Sequence, residues 1–179
     1  GAPYLIIDGF IYVYFNEKSP VSKQYPSVAR AELSSVVSAA RASNVTKWLK
    51  YNKNSKNFDQ DGISGLGSPV INREYLDVHA DATYCNYLKK YLLIVRENSD
   101  PGLFMYISAD GIEWSRTQKL ASDNIDQGVQ RHPVYPFFVS LSDGSNSDMS
   151  IVGKEFYVYF INIHWPLSYN WVGTDLPLN

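Results

Sequence analysis

Three polar side chains alternate with small or apolar residues in the segment LDVHAD, residues 76–81. Asp77, His79 and Asp81 stand two positions apart. Because successive side chains of a strand point to opposite faces, this spacing places all three on one face. Carboxylates and an imidazole together suit acid–base cleavage or the binding of a hydroxyl-rich ligand. We expect Asp81 to act as a base or as a carboxylate that tunes a neighbouring acid, and Asp77 and His79 to bind substrate. The alternative is that Asp77 and His79 cap a strand end and bond to the backbone.

A second pair with the same spacing occurs in the segment ARAE, residues 29–32. Arg30 and Glu32 would share a face if this segment is a strand. Glu32 is then a candidate general acid, and Arg30 would hold substrate. A neighbouring arginine also lowers the pKa of a carboxyl group, whereas a general acid needs a raised pKa. If the segment is helical, the pair belongs to a solvated face.

Two further residues are candidates for substrate binding. His132 opens the segment HPVYPFFVSL at the place where His79 opens HADATYCNY, so we expect it to line the same site. A structural histidine beside Pro133 is an equal alternative. Trp165 follows His164 after a strand-like run, and its ring could stack on a sugar, although aromatic residues are often simply buried.

Composition excludes several other functions. The formal net charge is -2 and no long basic run occurs, so no nucleic-acid partner is expected. No run of about 18 apolar residues is present, which argues against a membrane span. The single cysteine, Cys85, rules out a disulfide framework and a cysteine-rich zinc site. No metal or cofactor motif is found, so we expect neither. The compartment is left open, and a secreted or periplasmic location is one expectation.

The elements that must position these residues read mainly as strands. The chain of 179 residues is 15% aromatic, and aromatic side chains favour strands. Three segments are versions of one aromatic, β-branched strand, namely FIYVYFNE, KYLLIVREN and EFYVYFINI. Two segments place a tryptophan after a turn, namely SNVTKWLKY and SADGIEWSR. A repeated unit of three strands, a turn and a tryptophan-bearing strand predicts a four-stranded antiparallel blade.

The sequence therefore predicts an all-β chain that forms one β-propeller-like domain over 1–179, with about two and a half to three blades. We place the first blade at about 3–52, a connection at 53–76, the second blade at about 77–121 and the third at about 131–179. Trp114 should be buried between strands. One segment, 31–42, also carries a helical pattern, although the repeat favours a strand in its first half.

Several of these motifs resemble a known family. SADGIEW resembles an element of the five-bladed β-propeller glycoside hydrolases, the arabinanase, β-xylosidase and β-fructosidase-like enzymes. WLKYNKNSKNFDQDGISGLGSPVI is similar to their outer strand and its connection to the next blade, and HADATYCNYLKKYLLIV is similar to an inner strand pair. The resemblance implies a carbohydrate ligand from a plant or alga. It also implies an Asp base, a pKa-tuning Asp and a Glu acid on separate inner strands.

The chain departs from this family in two ways. A five-bladed propeller needs roughly 300 residues, so the chain corresponds to a partial propeller, either a fragment or a protein that completes its ring as a homodimer. The sequence also offers no convincing Glu acid. The alternative to a glycoside hydrolase is therefore a non-catalytic carbohydrate-binding or assembly module, or an inactive piece of a larger enzyme.

Overall fold

The computed structural model describes residues 2–18, 24–73, 76–126, 129–141, 150–164 and 168–177. Within these ranges the chain forms strands and one helix. In chain order they are β1 (Tyr4–Ile7), β2 (Phe10–Lys18), β3 (Gln24–Glu32), α1 (Leu33–Arg41), β4 (Leu49–Asn52), β5 (Asn57–Asp61), β6 (Leu76–Cys85), β7 (Lys90–Glu97), β8 (Gly102–Ser108), β9 (Ser115–Ser122), β10 (Asn124–Asp126), β11 (Val129–Ser140), β12 (Ile151–Val152), β13 (Glu155–His164) and β14 (Ser168–Pro177).

The described strands form three sheets. The first has the order β1-β2-β3-β4-β5, the second β12-β6-β7-β8-β9, and the third β10-β11-β13-β14. Pairing is antiparallel except between β12 and β6. About 60% of the chain is strand, which confirms the predicted all-β class. The sheets are consistent with propeller-like blades, while the number of blades and their four-stranded make-up stay predictions. The segment 53–76, expected as a connection, contributes β5 to the first sheet.

The second sheet lies between the other two and is buried on both faces. Leu93 and Val95 belong to a core shared with the first sheet. Leu92 and Ile94 belong to a core shared with the third sheet. Because alternate residues of β7 point to opposite faces, a strand in this position is apolar without interruption, as YLLIV is.

The outer faces of the first and third sheets carry large apolar side chains that are only partly buried. On the first sheet these are Val13, Phe15 and Trp48, and on the third sheet Phe137, Tyr157 and Tyr159. The rings of Phe137 and Tyr159 stack with centroids 5.6 Å apart. These two surfaces resemble the faces that pack inside the chain.

The turn in SADGIEW joins β8 to β9 of the second sheet and packs against the first sheet. Gly111 has a φ of +74°, a backbone conformation that favours glycine. A Cβ there would lie 2.5 Å from a methyl carbon of Ile7, so that side chain would have to move. The Tyr14 hydroxyl donates a hydrogen bond to the Gly111 carbonyl at 2.7 Å. Trp114 is 8% exposed and packs edge-on against Tyr14, with ring centroids 5.7 Å apart. The predicted burial of Trp114 is confirmed.

The segment 31–42, whose sequence fits both a strand and a helix, begins in a strand and continues as a helix. It is a strand as far as Glu32 and a helix from Leu33 to Arg41. The strand half pairs with β2, where Ala29 and Ala31 are buried, whereas α1 has no buried residue. Tertiary pairing fixes the first half, and the alanine- and serine-rich sequence forms a short surface helix after it.

Candidate functional site

Asp81 on β6 is held by two backbone groups. Its Oδ2 accepts a hydrogen bond from the Phe138 N–H on β11 at 2.9 Å, and its Oδ1 accepts one from the Ala82 N–H at 2.9 Å. The side chain is partly buried. Burial raises the pKa of this carboxyl, and the two hydrogen bonds oppose that shift without cancelling it. A carboxyl with a raised pKa in a fixed position is suited to proton transfer.

The face of β6 that carries Asp81 lies against the third sheet. Ala80 and Ala82 pack toward the first sheet, whereas Cys85 packs toward the third. In stacked sheets the two faces of a strand meet the neighbouring sheets. Asp81 therefore points toward the third sheet, where it bonds to β11.

The register of β6 with β7 affects the prediction that Asp77, His79 and Asp81 share one face. Asp77 pairs with Arg96, whereas Asp81 pairs with Ile94, so β6 holds two extra residues in this interval. Such an irregularity interrupts the alternation on which the shared face depended. The side chains of Asp77 and His79 lie outside the described part of the structure, as does Trp165, and their roles in substrate binding stay predictions.

His132 belongs to a cluster that the sequence did not reveal. Its Nδ1 lies 2.6 Å from Oδ2 of Asp123. Both Nη atoms of Arg96 donate to the same carboxylate at 2.8 Å, and Arg96 also donates to the Pro133 carbonyl at 3.1 Å. Burial alone would raise the pKa of Asp123, but the hydrogen bonds from Arg96 and His132 outweigh it and lower that pKa.

Asp81 and Asp123 bond to different residues of β11. Asp81 accepts from the Phe138 N–H, and Asp123 bonds to His132. The β13 partners of these two residues, Val158 and Ile163, are five residues apart, or about 17 Å of strand at about 3.3 Å per residue. The two carboxylates therefore belong to different hydrogen-bond networks.

Arg30 and Glu32 occupy different surroundings. The guanidinium of Arg30 lies 4.4 Å from the ring centroid of Phe10 and 4.1 Å from that of Phe58, and it donates to the Tyr12 hydroxyl at 2.9 Å. Arg30 therefore packs among aromatic rings of the first sheet. Glu32 is exposed at the start of α1.

The surroundings of Glu32 do not suit a general acid. Its carboxylate accepts hydrogen bonds from the hydroxyls of Ser34 and Ser35, and these bonds lower its pKa. A general acid needs the opposite shift, so we do not retain Glu32 in that role. The lowered pKa comes from these two serines and not from Arg30, whose guanidinium bonds to Tyr12.

A fully buried carboxylate, Glu97, lies at the end of β7. The Tyr106 hydroxyl donates to it at 2.5 Å, and Nη1 atoms of Arg73 and Arg116 donate at 2.9 and 3.0 Å. Burial, together with the hydrogen bond to Glu97, raises the pKa of Tyr106. Since Glu97 has no exposed surface, its carboxylate serves to link β7 with β8, β9 and the loop that carries Arg73.

A cleft with a volume of about 460 Å³ runs along the free edge of β1. It is lined by residues 4–8 and, across the gap, by Tyr84, Tyr91, Ser150 and Ile151. The rings of Tyr84 and Tyr91 lie 5.2 Å apart at 57°. Sequence reasoning missed this cleft, although Tyr84 follows the HAD segment and Asp8 begins the first Asp-Gly turn.

Among the described residues, no group of three or more His, Cys, Asp and Glu side chains is arranged to hold a metal ion. No helix in the same residues is long and apolar enough to cross a membrane.

Comparison with known proteins gives a match at the level of structure. No protein-family model matches the sequence, and no curated protein matches it. Two crystal structures of fructan 1-exohydrolase IIa from Cichorium intybus are similar to the chain. The first, a variant in complex with 1-kestose, has a TM-score of 0.55 and 17% identity over 98% of this chain. The second has a TM-score of 0.53 and 15% identity over 100% of this chain.

The chain spans 30% of the length of both of these proteins. At this level of identity the likeness establishes the fold. The predicted resemblance to five-bladed β-propeller glycoside hydrolases is confirmed in that sense, with the chain matching part of such a protein.

Proposed function

We propose that this protein recognises an oligosaccharide, and that Asp81 is the acidic group through which it acts. The observation that carries the proposal is the raised pKa of the Asp81 carboxyl, in a partly buried position fixed by two backbone hydrogen bonds. Support also comes from the fold, which matches part of a glycoside hydrolase whose crystal structure contains 1-kestose.

In hydrolysis, Asp81 would accept a proton from the attacking water or tune the pKa of a second carboxyl group. Its raised pKa favours proton exchange closer to neutral pH than that of an ordinary aspartate. Asp77, four residues before Asp81 on β6, would bind the sugar together with His79. His132 would bind it from β11. Arg96 and Asp123 hold the His132 ring in one orientation.

The second candidate function is carbohydrate binding without catalysis. It is favoured by the surroundings of Glu32, which lower the pKa of the residue chosen as the acid.

Reducing-sugar release from 1-kestose, arabinotriose and xylotriose distinguishes the two functions. If Asp81 acts in proton transfer, Asp81→Asn should lower the rate about 10²- to 10⁴-fold, while calorimetric affinity for the same sugar stays within a few-fold. Asp59→Asn is the matched control, because Asp59 is an exposed carboxylate in the β4–β5 hairpin. Binding without sugar release supports the non-catalytic function. Release that is unchanged in Asp81→Asn refutes the role of Asp81.

A further inference from the structure

We infer that the cavity beside Trp114 is a binding site for a small zwitterion of the free amino-acid class. The cavity has a volume of about 220 Å³ and is lined by residues of β4, of the segment 69–72 and of the SADGIEW turn. At about 30 Å³ for each water molecule, this space holds about seven water-sized groups. An amino acid of the size of valine or leucine suits such a space.

A buried donor without a partner belongs to the wall of this cavity. Trp114 lines the cavity, and its Nε1 is buried and has no hydrogen-bond partner among the described residues. An indole N–H can only donate, and a buried donor that stays unpaired is costly. The group that satisfies it must therefore be an acceptor, and we assign to it the carboxylate of the ligand.

Two opposite charges also line the cavity. Lys53 follows β4 and Glu113 precedes Trp114 in the chain, and both side chains are exposed. Within the part of the chain that the structure describes, neither side chain forms an ion pair. A zwitterion carries the complementary charges, because its carboxylate can meet Lys53 together with the Trp114 N–H while its ammonium meets Glu113.

The rest of the lining supplies a hydroxyl and an apolar wall. Tyr51 is 7% exposed, and burial, followed by the charges of Glu113 and Asp110, raises the pKa of its phenol. Its hydroxyl therefore stays protonated at neutral pH and can donate to a carboxylate. Val70 is buried and Ile112 is partly buried, and both offer apolar surface to an aliphatic side chain.

The cavity is separate from the surroundings of Asp81. Trp114 and Val70 belong to the core between the first and second sheets, whereas Asp81 bonds to the third sheet. The inference does not depend on the proposed carbohydrate function. Failure to bind an amino acid would leave that function standing, and failure to bind a sugar would leave this site standing.

The indole N–H of Trp114 reports binding directly in nuclear magnetic resonance spectra. The chain has four tryptophans, so the indole signals are few, and Trp114→Phe identifies the signal of Trp114. Titration with L-leucine at millimolar concentrations should move this signal to saturation. Isocaproate lacks the ammonium of leucine and isoamylamine lacks its carboxylate, so each should bind about tenfold more weakly or worse.

Two exposed positions give the matching variants. Lys53→Met and Glu113→Gln should each weaken the affinity for leucine about tenfold, because each removes one charged partner. Lys47→Met and Glu155→Gln are the controls, since both side chains are exposed and lie outside the cavity, and they should leave the affinity unchanged.

Three results would overturn the inference. The first is a Trp114 indole signal that leucine does not move. The second is an affinity for leucine that is unchanged in both Lys53→Met and Glu113→Gln. The third is equal affinity for leucine and isocaproate, which would show that the ammonium group is not recognised.

Discussion

Replacing Trp114 with alanine should destabilise the protein more than any surface change. Its ring is 8% exposed and lies in the core between the first and second sheets, edge-on to Tyr14. Truncating a buried tryptophan to alanine costs about 3 to 5 kcal/mol of unfolding free energy. The edge-on pair accounts for about 0.5 to 1.5 kcal/mol of such a loss.

Trp114→Phe is the matched variant for this prediction. The indole Nε1 is buried and has no hydrogen-bond partner among the described residues. Phenylalanine therefore removes no hydrogen bond seen there and keeps a ring in the core, so we expect a loss of about 1 to 2 kcal/mol.

Urea unfolding followed by far-UV circular dichroism measures both variants without relying on tryptophan fluorescence. In a domain of this size each kcal/mol lowers Tm by about 2 to 4 °C, so Trp114→Ala should lower it by about 6 to 20 °C. A loss below about 1 kcal/mol for Trp114→Ala would mean that the ring does not support the contact between the two sheets, and the packing described here would be wrong.

Three other predictions follow from the same contacts. Glu97→Ala should lower the unfolding free energy by about 3 to 5 kcal/mol in urea titrations, because it leaves the buried Tyr106 hydroxyl without its carboxylate partner; an effect below 1 kcal/mol would refute the role of this network. Because the folded pKa of Asp123 lies below the usual value of 3.8, its stabilisation is present above that pH and is lost as the pH falls through the folded pKa. The wild type should therefore lose stability on acidification below about pH 4 more steeply than Asp123→Asn, and equal slopes would contradict this. The two outer sheet faces should pair between chains, so light scattering should give twice the mass of one chain; a mass of one chain that persists on concentration would exclude the homodimer.

Much of the fold could be predicted because it depends on local patterns. The uninterrupted apolar run in β7 and the Asp-Gly turn before Trp114 specify a strand and a buried ring directly. The helix after Glu32 was the harder element, since an alanine- and serine-rich segment is compatible with both states until its pairing with β2 is known.

The candidate site was less predictable because it depends on contacts between distant strands. The partner of Asp81 is a backbone N–H 57 residues away, and no spacing rule points to it. Asp123 bonds to His132 and Arg96 only because β7 and β11 meet in space. The irregular register of β6 also breaks the alternation assumed for Asp77 and Asp81. The edge of β1 became visible as a cleft only once the order of strands was known.

The most direct test of the central claim, carbohydrate recognition, is isothermal titration of the wild-type protein with 1-kestose, arabinotriose and xylotriose. We predict saturable binding of at least one of these sugars at one site per chain. Absence of binding heat for all three sugars, with the protein folded by circular dichroism, would contradict it.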